Sequence, residues 1–377
     1  MRISILGLVG GLIAGVVVAQ SVSDPLPRRG YFGVALEQSL SGVRVTGVAP
    51  GSTAAEAGIS AGDVIVAIDG LDTPTSDAVV SSIAHHRGGD SVSIRIQQAG
   101  DSRTMTVTLK AYPSEQIQNA TVSYGSVESQ LGVRLRTITS VPITLSLARY
   151  PAVLLVQGGG CGSIDTPIGP AVGPTGLIHT IGSHGFITMR VEKSGVGDSQ
   201  GEPCASIGFK EEFAGYQAAL KALLSHPAVD RGRIYLVGIS LGGVFSPLLA
   251  AETHVAGISV YGTPAGPPPV YPGRSERFFQ EFAKVDVAAA WAKVNTRVQV
   301  LHGEYDADPV VNRAVHESIA AMINKAHPGS ATFREFAGLD HCWTRHASLE
   351  ASKDKCGQGE ETRLVQDEIL NFLSSRI

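Results

Sequence analysis

Two different patterns of hydrophobic and polar residues divide this chain of 377 residues. From residue 29 to residue 113, apolar and polar positions alternate in short stretches, which are YFGVALEQ, GVRVTGVA, DVIVAIDG, SVSIRIQQ and RTMTVTLK. A period of two is typical of half-buried strands. Two short helices are predicted between them, at Ala54–Ala57 and Asp77–His86. The pattern therefore predicts a small β-rich domain over residues 29–113.

From Val122 onward, predicted strands and helices alternate. The fully apolar strand PAVLLVQ is typical of the middle of a parallel sheet. Further strands are predicted at LGVRLRTITS, GFITMRVEK, RIYLVGIS, VAGISVYG, RVQVLHG and TFREFAG, and helices at Glu211–Leu224, Leu241–Glu252, Val310–Asn324 and Thr362–Ser374. Such alternation predicts a three-layer α/β domain, here over residues 122–377, with residues 114–121 as the linker.

Residues 1–19 have the composition of a targeting segment. One charge, Arg2, precedes an apolar run, and the small residues Val17 and Ala19 occupy the −3 and −1 positions of a cleavage site. This pattern predicts a signal peptide cleaved after Ala19, and the alternative is an uncleaved membrane anchor. Either case places the folded part in the periplasm or outside the cell. No later stretch is apolar over the roughly 20 residues that a membrane span needs, so none is expected in the mature chain.

The four cysteines fit an oxidising compartment. Their spacing is not that of a zinc site, which would need two close pairs, so no metal site is expected. Four cysteines permit three pairings. We predict the pairs Cys161–Cys204 and Cys342–Cys356, with four buried thiols as the alternative.

Composition narrows the class of partner. Hydrophobic residues make up 43% of the chain and charged residues 17%, which is typical of a folded protein. The formal net charge is −4, from 30 Lys and Arg against 34 Asp and Glu. Because a nucleic-acid-binding surface is usually basic, no nucleic-acid partner is expected.

The stretch RIYLVGISLGG contains the pattern Gly-x-Ser-x-Gly as Gly238, Ser240 and Gly242. It follows an apolar strand and opens a predicted helix, which is the context in which this pattern presents a nucleophilic serine. Glycines two residues to either side of Ser240 allow a sharp turn that lifts the hydroxyl clear of the sheet. The alternative is an ordinary turn between a strand and a helix.

A nucleophilic serine needs a base, and the base needs an orienting acid. With this serine pattern the chain order is Ser, then Asp or Glu, then His. Asp306 follows one predicted strand and His341 follows the next, at the carboxyl ends where open α/β sheets build their sites. We predict Ser240, Asp306 and His341 as the catalytic residues. The alternatives are Asp308 or Glu304 as the acid and His346 as the base.

Acyl transfer also needs hydrogen-bond donors for a developing oxyanion. The backbone N–H of Leu241 follows the predicted nucleophile. A second donor is expected in the glycine run of QGGGCGSID, from Gly159, with Gly160 as the alternative. Neither donor requires a metal or an organic cofactor, and none is expected.

A proline-rich segment at about residues 263–295 predicts a short lid over the site. Its aromatic residues either line a substrate pocket or pack the lid onto the body. They are Tyr271, Phe278, Phe279 and Trp291.

The stretch GSTAAEAGISAGDVIVAIDG, with the strands around it, resembles a PDZ domain of the circularly arranged bacterial type. The resemblance covers residues 29–113 and implies that Tyr31-Phe32-Gly33-Val34 is a carboxylate-binding loop for peptide C-termini. Arg28 and Arg29 precede this loop and are expected to help attract a carboxylate. His85 and His86 are expected to be groove or surface residues rather than metal ligands.

Residues 122–377 resemble the α/β-hydrolase superfamily, in its branch of secreted esterases and prolyl-oligopeptidase-like enzymes. The stretches QGGGCGSID, MRVEKSGVGDSQGEPC and VDRGRIYLVGISLGG carry the resemblance, and the chain has Gln157-Gly158 where the family often has His-Gly. Asp198 and Ser199 are expected to shape their loop, which the bridge Cys161–Cys204 would tie to the glycine run.

The resemblance implies a secreted serine hydrolase that cleaves small carboxylic esters through an acyl-enzyme. The PDZ domain would bind peptide C-termini or regulate access to the site. The alternatives are a serine peptidase, whose substrate would be a peptide, and an inactive scaffold that carries a PDZ domain.

Overall fold

The structure is a computed structural model that describes residues 26–39, 42–98, 100–143, 148–169, 172–264, 266 and 273–375. The predicted signal peptide at residues 1–19 and the lid residue Tyr271 lie outside these ranges. Within them, no helix is long and apolar enough to cross a membrane.

The first region is a β-rich unit with two helices. Its strands are β1 Gly30–Tyr31, β2 Val34–Ser39, β3 Gly42–Val48, β4 Val64–Ile68, β5 Leu71–Asp72, β6 Ser91–Gln98, β7 Asp101–Thr108 and β8 Lys110–Ala111, and its helices are α1 Thr53–Glu56 and α2 Ser76–Ala84. The antiparallel sheet has the order β2-β3-β4-β6-β7, with β5 beside β4, while β1 pairs with β8. Inward residues such as Val43, Val45 and Ile94 are fully buried, so the period-two pattern reports one core-facing side of each strand.

The second region is built on a sheet of eight strands. They are β9 Ala120–Glu128, β10 Arg134–Pro142, β11 Tyr150–Val156, β12 Ile187–Val191, β13 Val229–Ile239, β14 Gly257–Tyr261, β15 Arg297–Gly303 and β16 Ala331–Phe336. Their order is β16-β15-β14-β13-β11-β12-β10-β9. The neighbours from β12 through β11 to β16 are parallel, and β10 is antiparallel to both of its neighbours.

Helices cover both faces of this sheet. They are α3 Gly173–Ser183, α4 Phe209–Ser225, α5 Gly242–Glu252, α6 Glu276–Phe282, α7 Val287–Ala292, α8 Arg313–Ala326, α9 Leu349–Ser352 and α10 Leu364–Ser374, and a small hairpin pairs β17 Thr344–Arg345 with β18 Glu360–Glu361. In β11, Leu154 belongs to the core under α4, α5 and α8, whereas Val153 and Leu155 belong to the core under α3 and α10. The apolar run is continuous because both faces of the strand are buried. The sheet with helices on each side forms three layers, as the sequence predicts.

The observed elements differ from the predicted ones at two places. Helix α3 was not predicted, because Gly173, Pro174 and two further glycines made its segment look like a loop. It forms because Leu177, Ile178 and Ile181 are fully buried against the sheet. Strand β9 begins at Ala120, inside the predicted linker of residues 114–121. The outer limits of the two predicted domains stay predictions.

The two regions are joined by ion pairs, which corrects the role predicted for Arg28 and Arg29. Arg28 lies 2.7 Å from Asp165 and 2.6 Å from Asp198, two carboxylates of the second region whose side chains are 1% exposed. The guanidinium of Arg29 donates to the hydroxyl of Ser163 at 3.0 Å, and its backbone N–H donates to Asp198 at 2.8 Å. These arginines therefore hold the first region on the second and are not turned toward a peptide ligand.

The loop that carries Asp198 is shaped from both sides. Asp198 also accepts a hydrogen bond of 3.0 Å from Arg136, which is buried in β10. The hydroxyl of Ser199 accepts from the Arg136 N–H at 2.9 Å and donates to the carbonyl of Glu192 at 3.2 Å. Ser199 thus shapes the loop, and Asp198 also anchors the first region.

Candidate active site

Ser240 lies at the turn between β13 and α5. Its φ angle is +53°, in the left-handed region that residues other than glycine rarely occupy. Its N–H donates a hydrogen bond of 2.8 Å to the carbonyl of Tyr261, the last residue of the neighbouring β14. A serine held in a strained turn between a strand and a helix is typical of a nucleophile.

The glycines around Ser240 are required by close packing. A Cβ atom on Gly242 would overlap the carbonyl of Val156 at the end of β11. A Cβ atom on Gly238 would lie 2.6 Å from the hydroxyl of Ser246 in α5. The turn therefore leaves no room for a side chain at either position, which is why the sequence pattern takes this form.

Asp306 and His341 form a short hydrogen bond, with 2.6 Å between Oδ2 of the carboxylate and Nδ1 of the imidazole. Asp306 follows β15 and its side chain is fully buried, whereas His341 follows β16 and its side chain is 20% exposed. Because Asp306 engages Nδ1, Nε2 is the nitrogen that would receive a proton from a nucleophile.

The end of β14 brings Ser240 and this pair together. Tyr261 accepts the backbone hydrogen bond of Ser240, and the next residue is Gly262. A Cβ atom on Gly262 would lie 2.9 Å from Nδ1 of His341 and 3.3 Å from Oδ2 of Asp306. The three residues predicted to be catalytic therefore lie around Tyr261 and Gly262, which are adjacent in the chain.

The pKa of His341 responds to opposing influences. Burial of the ring lowers the pKa, whereas the hydrogen bond and charge of Asp306, together with the charges of Asp308 and Asp340, raise it. The net effect is a raised pKa. The carboxylates thus stabilise the imidazolium that would form when His341 accepts a proton.

The alternative acids are engaged by backbone groups. Asp308 accepts a hydrogen bond of 3.1 Å from the Val310 N–H, and its own N–H donates to Asp306 at 3.0 Å. Glu304 accepts a hydrogen bond of 2.8 Å from the Gly338 N–H. These contacts shape the loops on either side of the Asp306–His341 pair.

The alternative base, His346, pairs with a different carboxylate. Its Nε2 lies 2.9 Å from Oδ2 of Asp340. Asp340 also accepts from the N–H and the hydroxyl of Thr344, both at 2.7 Å. Burial raises the pKa of Asp340, but these bonds outweigh it and the pKa is lowered. His346 and Asp340 therefore organise the loop that carries His341.

The run Gly158–Gly160 packs on Ser240 and is held by two buried cations. A Cβ atom on Gly158 would lie 3.2 Å from Cβ of Ser240. Nζ of Lys193 donates to the carbonyls of Gly158 at 2.6 Å and Gly160 at 2.9 Å. Nη1 of Arg274 donates to the carbonyl of Gly159 at 3.0 Å. The donor roles predicted for Leu241 and Gly159 stay predictions.

One carboxylate joins the two cations. Glu212 in α4 lies 2.9 Å from Nζ of Lys193 and also pairs with Arg274, and each of the three side chains is at most 2% exposed. Burial lowers the pKa of Lys193, against the raising effect of Glu212. The sequence analysis missed this Lys193–Glu212–Arg274 cluster. Its one local signal was the charged pair Glu192-Lys193 directly after the buried strand β12.

Two disulfide bonds brace the loops of the site. The structure joins Cys161 to Cys204 and Cys342 to Cys356, with Cα–Cα distances of 5.6 Å and 5.3 Å. This is the predicted pairing. Cys161 directly follows the glycine run and Cys342 directly follows His341, so each bridge limits the motion of one wall.

The described aromatic residues of the predicted lid pack on the body. Phe278 in α6 and Trp291 in α7 are 1% exposed and belong to the main core, and Phe279 packs against the same core. Of the two interpretations offered by the sequence, packing therefore holds for these three residues.

A depression of about 370 Å³ opens beside His341. It is lined by Ala307, Asp308, Asp340, His341, Ser352, Lys353, Asp354 and Cys356. The imidazole is thus reachable from this depression, in agreement with its 20% exposed side chain. Among the described residues, no group of three or more His, Cys, Asp or Glu side chains is placed to hold a metal ion.

The predicted carboxylate-binding loop lies at the start of the edge strand β2. Phe32 is buried in the core of the first region, and Gly33 has a φ of +80°. The carbonyl of Phe32 accepts from the Ala54 N–H at 2.9 Å, and the carbonyl of Gly33 accepts from the Ala49 N–H at 2.9 Å. Tyr31 belongs to β1 and Val34 opens β2, whose outer edge has no strand beside it among the described residues.

The two histidines after α2 make surface contacts. Nδ1 of His85 bonds to the carbonyl of Ser81 at 2.7 Å, and Nε2 of His86 lies 2.8 Å from Asp69. Neither contact resembles a metal site.

Comparisons of sequence identify relatives of parts of the chain. The PDZ domain family matches residues 30–109. A probable periplasmic serine endoprotease, DegP-like, of Chlamydia trachomatis is 30% identical over 175 residues, which cover 43% of this chain and 34% of that protein. Esterase EstD of Thermotoga maritima is 27% identical over 135 residues, which cover 35% and 32%. The matches thus span about a third of the length of these relatives.

Solved structures identify the fold. The acylaminoacyl peptidase of Pyrococcus horikoshii matches with a TM-score of 0.55 at 11% identity, over 77% of this chain and 55% of that one. Est1E of Butyrivibrio proteoclasticus, solved with ferulic acid, matches with a TM-score of 0.50 at 16% identity, over 66% and 97%. The chain therefore has a PDZ domain near its N-terminus and an α/β-hydrolase fold, and both predictions of fold are confirmed.

Proposed function

We propose that this chain is a serine hydrolase of carboxylic esters, with Ser240 as nucleophile, His341 as base and Asp306 as orienting acid. The observation that carries the proposal is the 2.6 Å hydrogen bond between His341 and Asp306. This pair lies beside Gly262, and the strained turn of Ser240 is bonded to the preceding residue, Tyr261. Nucleophile, acid and base follow β13, β15 and β16, in the chain order Ser, Asp, His of this fold.

The reaction proceeds in two halves. Ser240 Oγ attacks the ester carbonyl while Nε2 of His341 takes its proton, and the carbonyl oxygen becomes an oxyanion held by the N–H groups of Leu241 and Gly159. The bond between the carbonyl carbon and the oxygen of the alcohol group then breaks. His341 gives the proton to the leaving alcohol, and an acyl-enzyme remains. Water then attacks the acyl-enzyme by the same proton path, which releases the acid and restores Ser240.

Peptidase activity is the second candidate. It is favoured by the attached PDZ domain, which would present peptide C-termini to the site, and by the peptidase among the structural neighbours. Ester and amide hydrolysis use the same three side chains, so the geometry of the triad supports both. Ester hydrolysis is preferred because EstD of Thermotoga maritima, a relative of part of this chain, is an esterase.

The deciding experiment compares the purified mature chain with Ser240→Ala. The substrates are p-nitrophenyl acetate, p-nitrophenyl butyrate and a panel of peptide amides. Ser225→Ala, at the last residue of α4, is the matched control and should keep wild-type activity. We expect the wild type to hydrolyse the esters with an initial burst of p-nitrophenol. In Ser240→Ala, the rate of ester turnover should fall at least about 10³-fold.

Other outcomes assign other functions. Amide turnover lost in the same variant would make the chain a peptidase and give the PDZ domain a role in substrate delivery. If neither substrate class is turned over in a Ser240-dependent way, the serine hydrolase proposal is wrong. The inactive scaffold then becomes the preferred hypothesis.

The PDZ domain is proposed to bind peptide C-termini at Tyr31-Phe32-Gly33-Val34, with the peptide added as a strand beside β2. A periplasmic or secreted location is proposed from the two disulfide bonds and the composition of residues 1–19. Mass spectrometry of the N-terminus after export would test it, because cleavage after Ala19 leaves Gln20 first.

A further inference from the structure

The glycine run beside Ser240 is oriented through its carbonyl groups. Each carbonyl of Gly158, Gly159 and Gly160 accepts a hydrogen bond from Lys193 or Arg274 at 2.6 to 3.0 Å. The peptide units here are trans. In a trans unit the C=O and the following N–H point in opposite directions. The N–H groups of Gly159, Gly160 and Cys161 therefore point away from the two cations.

The cations are themselves fixed. Glu212 pairs with both of them, and Arg274 also lies 4.0 Å above the ring of Phe278 in α6. Side chains that are at most 2% exposed and bound on several sides have little freedom to turn. Two positive charges and one negative charge leave a net charge of +1 behind the glycine run.

We propose that Lys193, Glu212 and Arg274 are positioning residues that aim the N–H groups of the glycine run at the oxyanion of the Ser240 reaction. The cations hold the carbonyl ends of these peptide dipoles, so the N–H ends face the reacting carbonyl before substrate arrives. Their net positive charge also favours the negative charge that appears in the transition state. This inference deepens the proposed hydrolase function and rests on it.

The test separates transition-state binding from ground-state binding. Lys193→Met and Arg274→Met each remove one cation and leave Glu212 paired with the other, so neither strands a buried charge. We expect kcat to fall by about 10- to 100-fold with KM within about threefold, since the loss of one oxyanion donor costs about 10²- to 10³-fold. Arg274→Lys keeps the charge and should recover part of the loss.

A pair of ketones supplies the specific readout. Ser240 adds to the carbonyl of a trifluoromethyl ketone to form an oxyanion, whereas the matching methyl ketone keeps its planar carbonyl and serves as a ground-state mimic. In Lys193→Met, the affinity for the trifluoromethyl ketone should fall by the same factor as kcat/KM, and the affinity for the methyl ketone should stay unchanged.

Arg190→Met is the matched control. Arg190 lies three residues before Lys193 and is equally buried in an ion pair, with Glu115, but it does not contact the glycine run. It should lose stability and keep the wild-type ratio of the two ketone affinities. If Lys193→Met behaves like Arg190→Met, the inference is wrong.

The outcomes distinguish this inference from the proposed function. Turnover that does not depend on Ser240 defeats the proposed function. A crystal structure of Lys193→Met in which the glycine carbonyls keep their directions defeats the positioning role, whatever the activity. Turned glycine peptides together with a selective loss of trifluoromethyl ketone affinity support it.

Discussion

Two loops of this chain are proposed to hold negative charge with backbone N–H groups, and they are built differently. In the PDZ domain, the carbonyls of Phe32 and Gly33 accept from the backbone N–H groups of Ala54 and Ala49. In the hydrolase region, the carbonyls of Gly158–Gly160 accept from the side chains of Lys193 and Arg274. The first loop is held by neutral amides and the second by buried charges.

The difference matches the charge that each loop would meet. A peptide carboxylate arrives with its full charge and must also leave, so neutral amide donors are sufficient. An oxyanion exists only briefly, and its donors must already be aimed when it forms. A buried ion cluster is costly to desolvate, and truncating one partner of a buried pair typically costs about 3–5 kcal/mol. We infer that this cost is offset by the orientation that the ion cluster gives to the N–H groups of the glycine run.

The largest expected effect separates chemistry from binding. Asp306→Asn should lower kcat by about 10⁴-fold, because an amide no longer stabilises the imidazolium or fixes the tautomer of His341. Steady-state kinetics with p-nitrophenyl butyrate measures it. The affinity of the PDZ domain for a peptide should not change. Asp308→Asn, at the alternative acid, is the control and should keep kcat within about tenfold. The reverse order of the two variants would make Asp308 the acid.

The next effect concerns stability. Arg28→Met removes the ion pairs to Asp165 and Asp198, and we expect a loss of about 2–3 kcal/mol in the free energy of unfolding, since Arg29 and Arg136 still reach these carboxylates. Urea denaturation measures it. Arg95→Met, which removes an exposed pair with Asp72, should cost less than about 1 kcal/mol.

The same variant tests the corrected role of Arg28. Its peptide affinity at the PDZ domain should equal that of the wild type. A selective loss of peptide affinity with unchanged stability would restore the role in attracting a carboxylate that the sequence suggested.

Local patterns in the sequence were sufficient for the residues proposed as catalytic. The turn around Ser240 is specified by two nearby glycines, and Asp306 and His341 each lie in the loop that follows a strand, β15 and β16. The sequence gives no comparable signal for Lys193, Glu212 and Arg274, because they lie far apart along the chain and meet only after α4 and α6 pack on the sheet. Arg28 was misread for the same reason, since its partners Asp165 and Asp198 are remote in sequence.

The sequence did not predict helix α3, for a different reason. Its three glycines disfavour a helix locally, whereas Pro174 lies in the first turn, where proline is tolerated. The burial of Leu177, Ile178 and Ile181 outweighs that preference. Tertiary packing decides such a segment, and periodicity alone does not reveal it.

A smaller effect is expected in the PDZ loop. A Cβ atom on Gly33 would overlap the side chain of Ser52 and lie 2.9 Å from the ring of Tyr31, at a φ of +80°. Gly33→Ala should weaken peptide binding at least about tenfold, since the loop must shift. The probe is the tightest peptide selected from a display library of random C-termini, followed by fluorescence anisotropy.

Gly70→Ala is the matched control for Gly33→Ala. Gly70 has a similar φ of +79° but open space around a Cβ atom, so it adds the backbone strain without the overlap. It should keep peptide affinity, and both variants should keep esterase kcat/KM. Equal loss of affinity in the two variants would show that strain, and not the shape of the carboxylate loop, is responsible.

The smallest expected effect is on the pH profile. His341 must be neutral to accept the proton of Ser240, so kcat/KM should fall as the pH drops through the pKa of His341 in the enzyme. Because neighbouring carboxylates raise this pKa, the fall should begin above the ordinary histidine value of about 6.5. Asp308→Asn removes one of the charges that raise the pKa and should move the profile to lower pH. Asp230→Asn, at the far end of β13, should leave the profile in place. A profile that Asp308→Asn does not move would mean that its charge is screened from the imidazole, which would assign the raised pKa to Asp306 and Asp340.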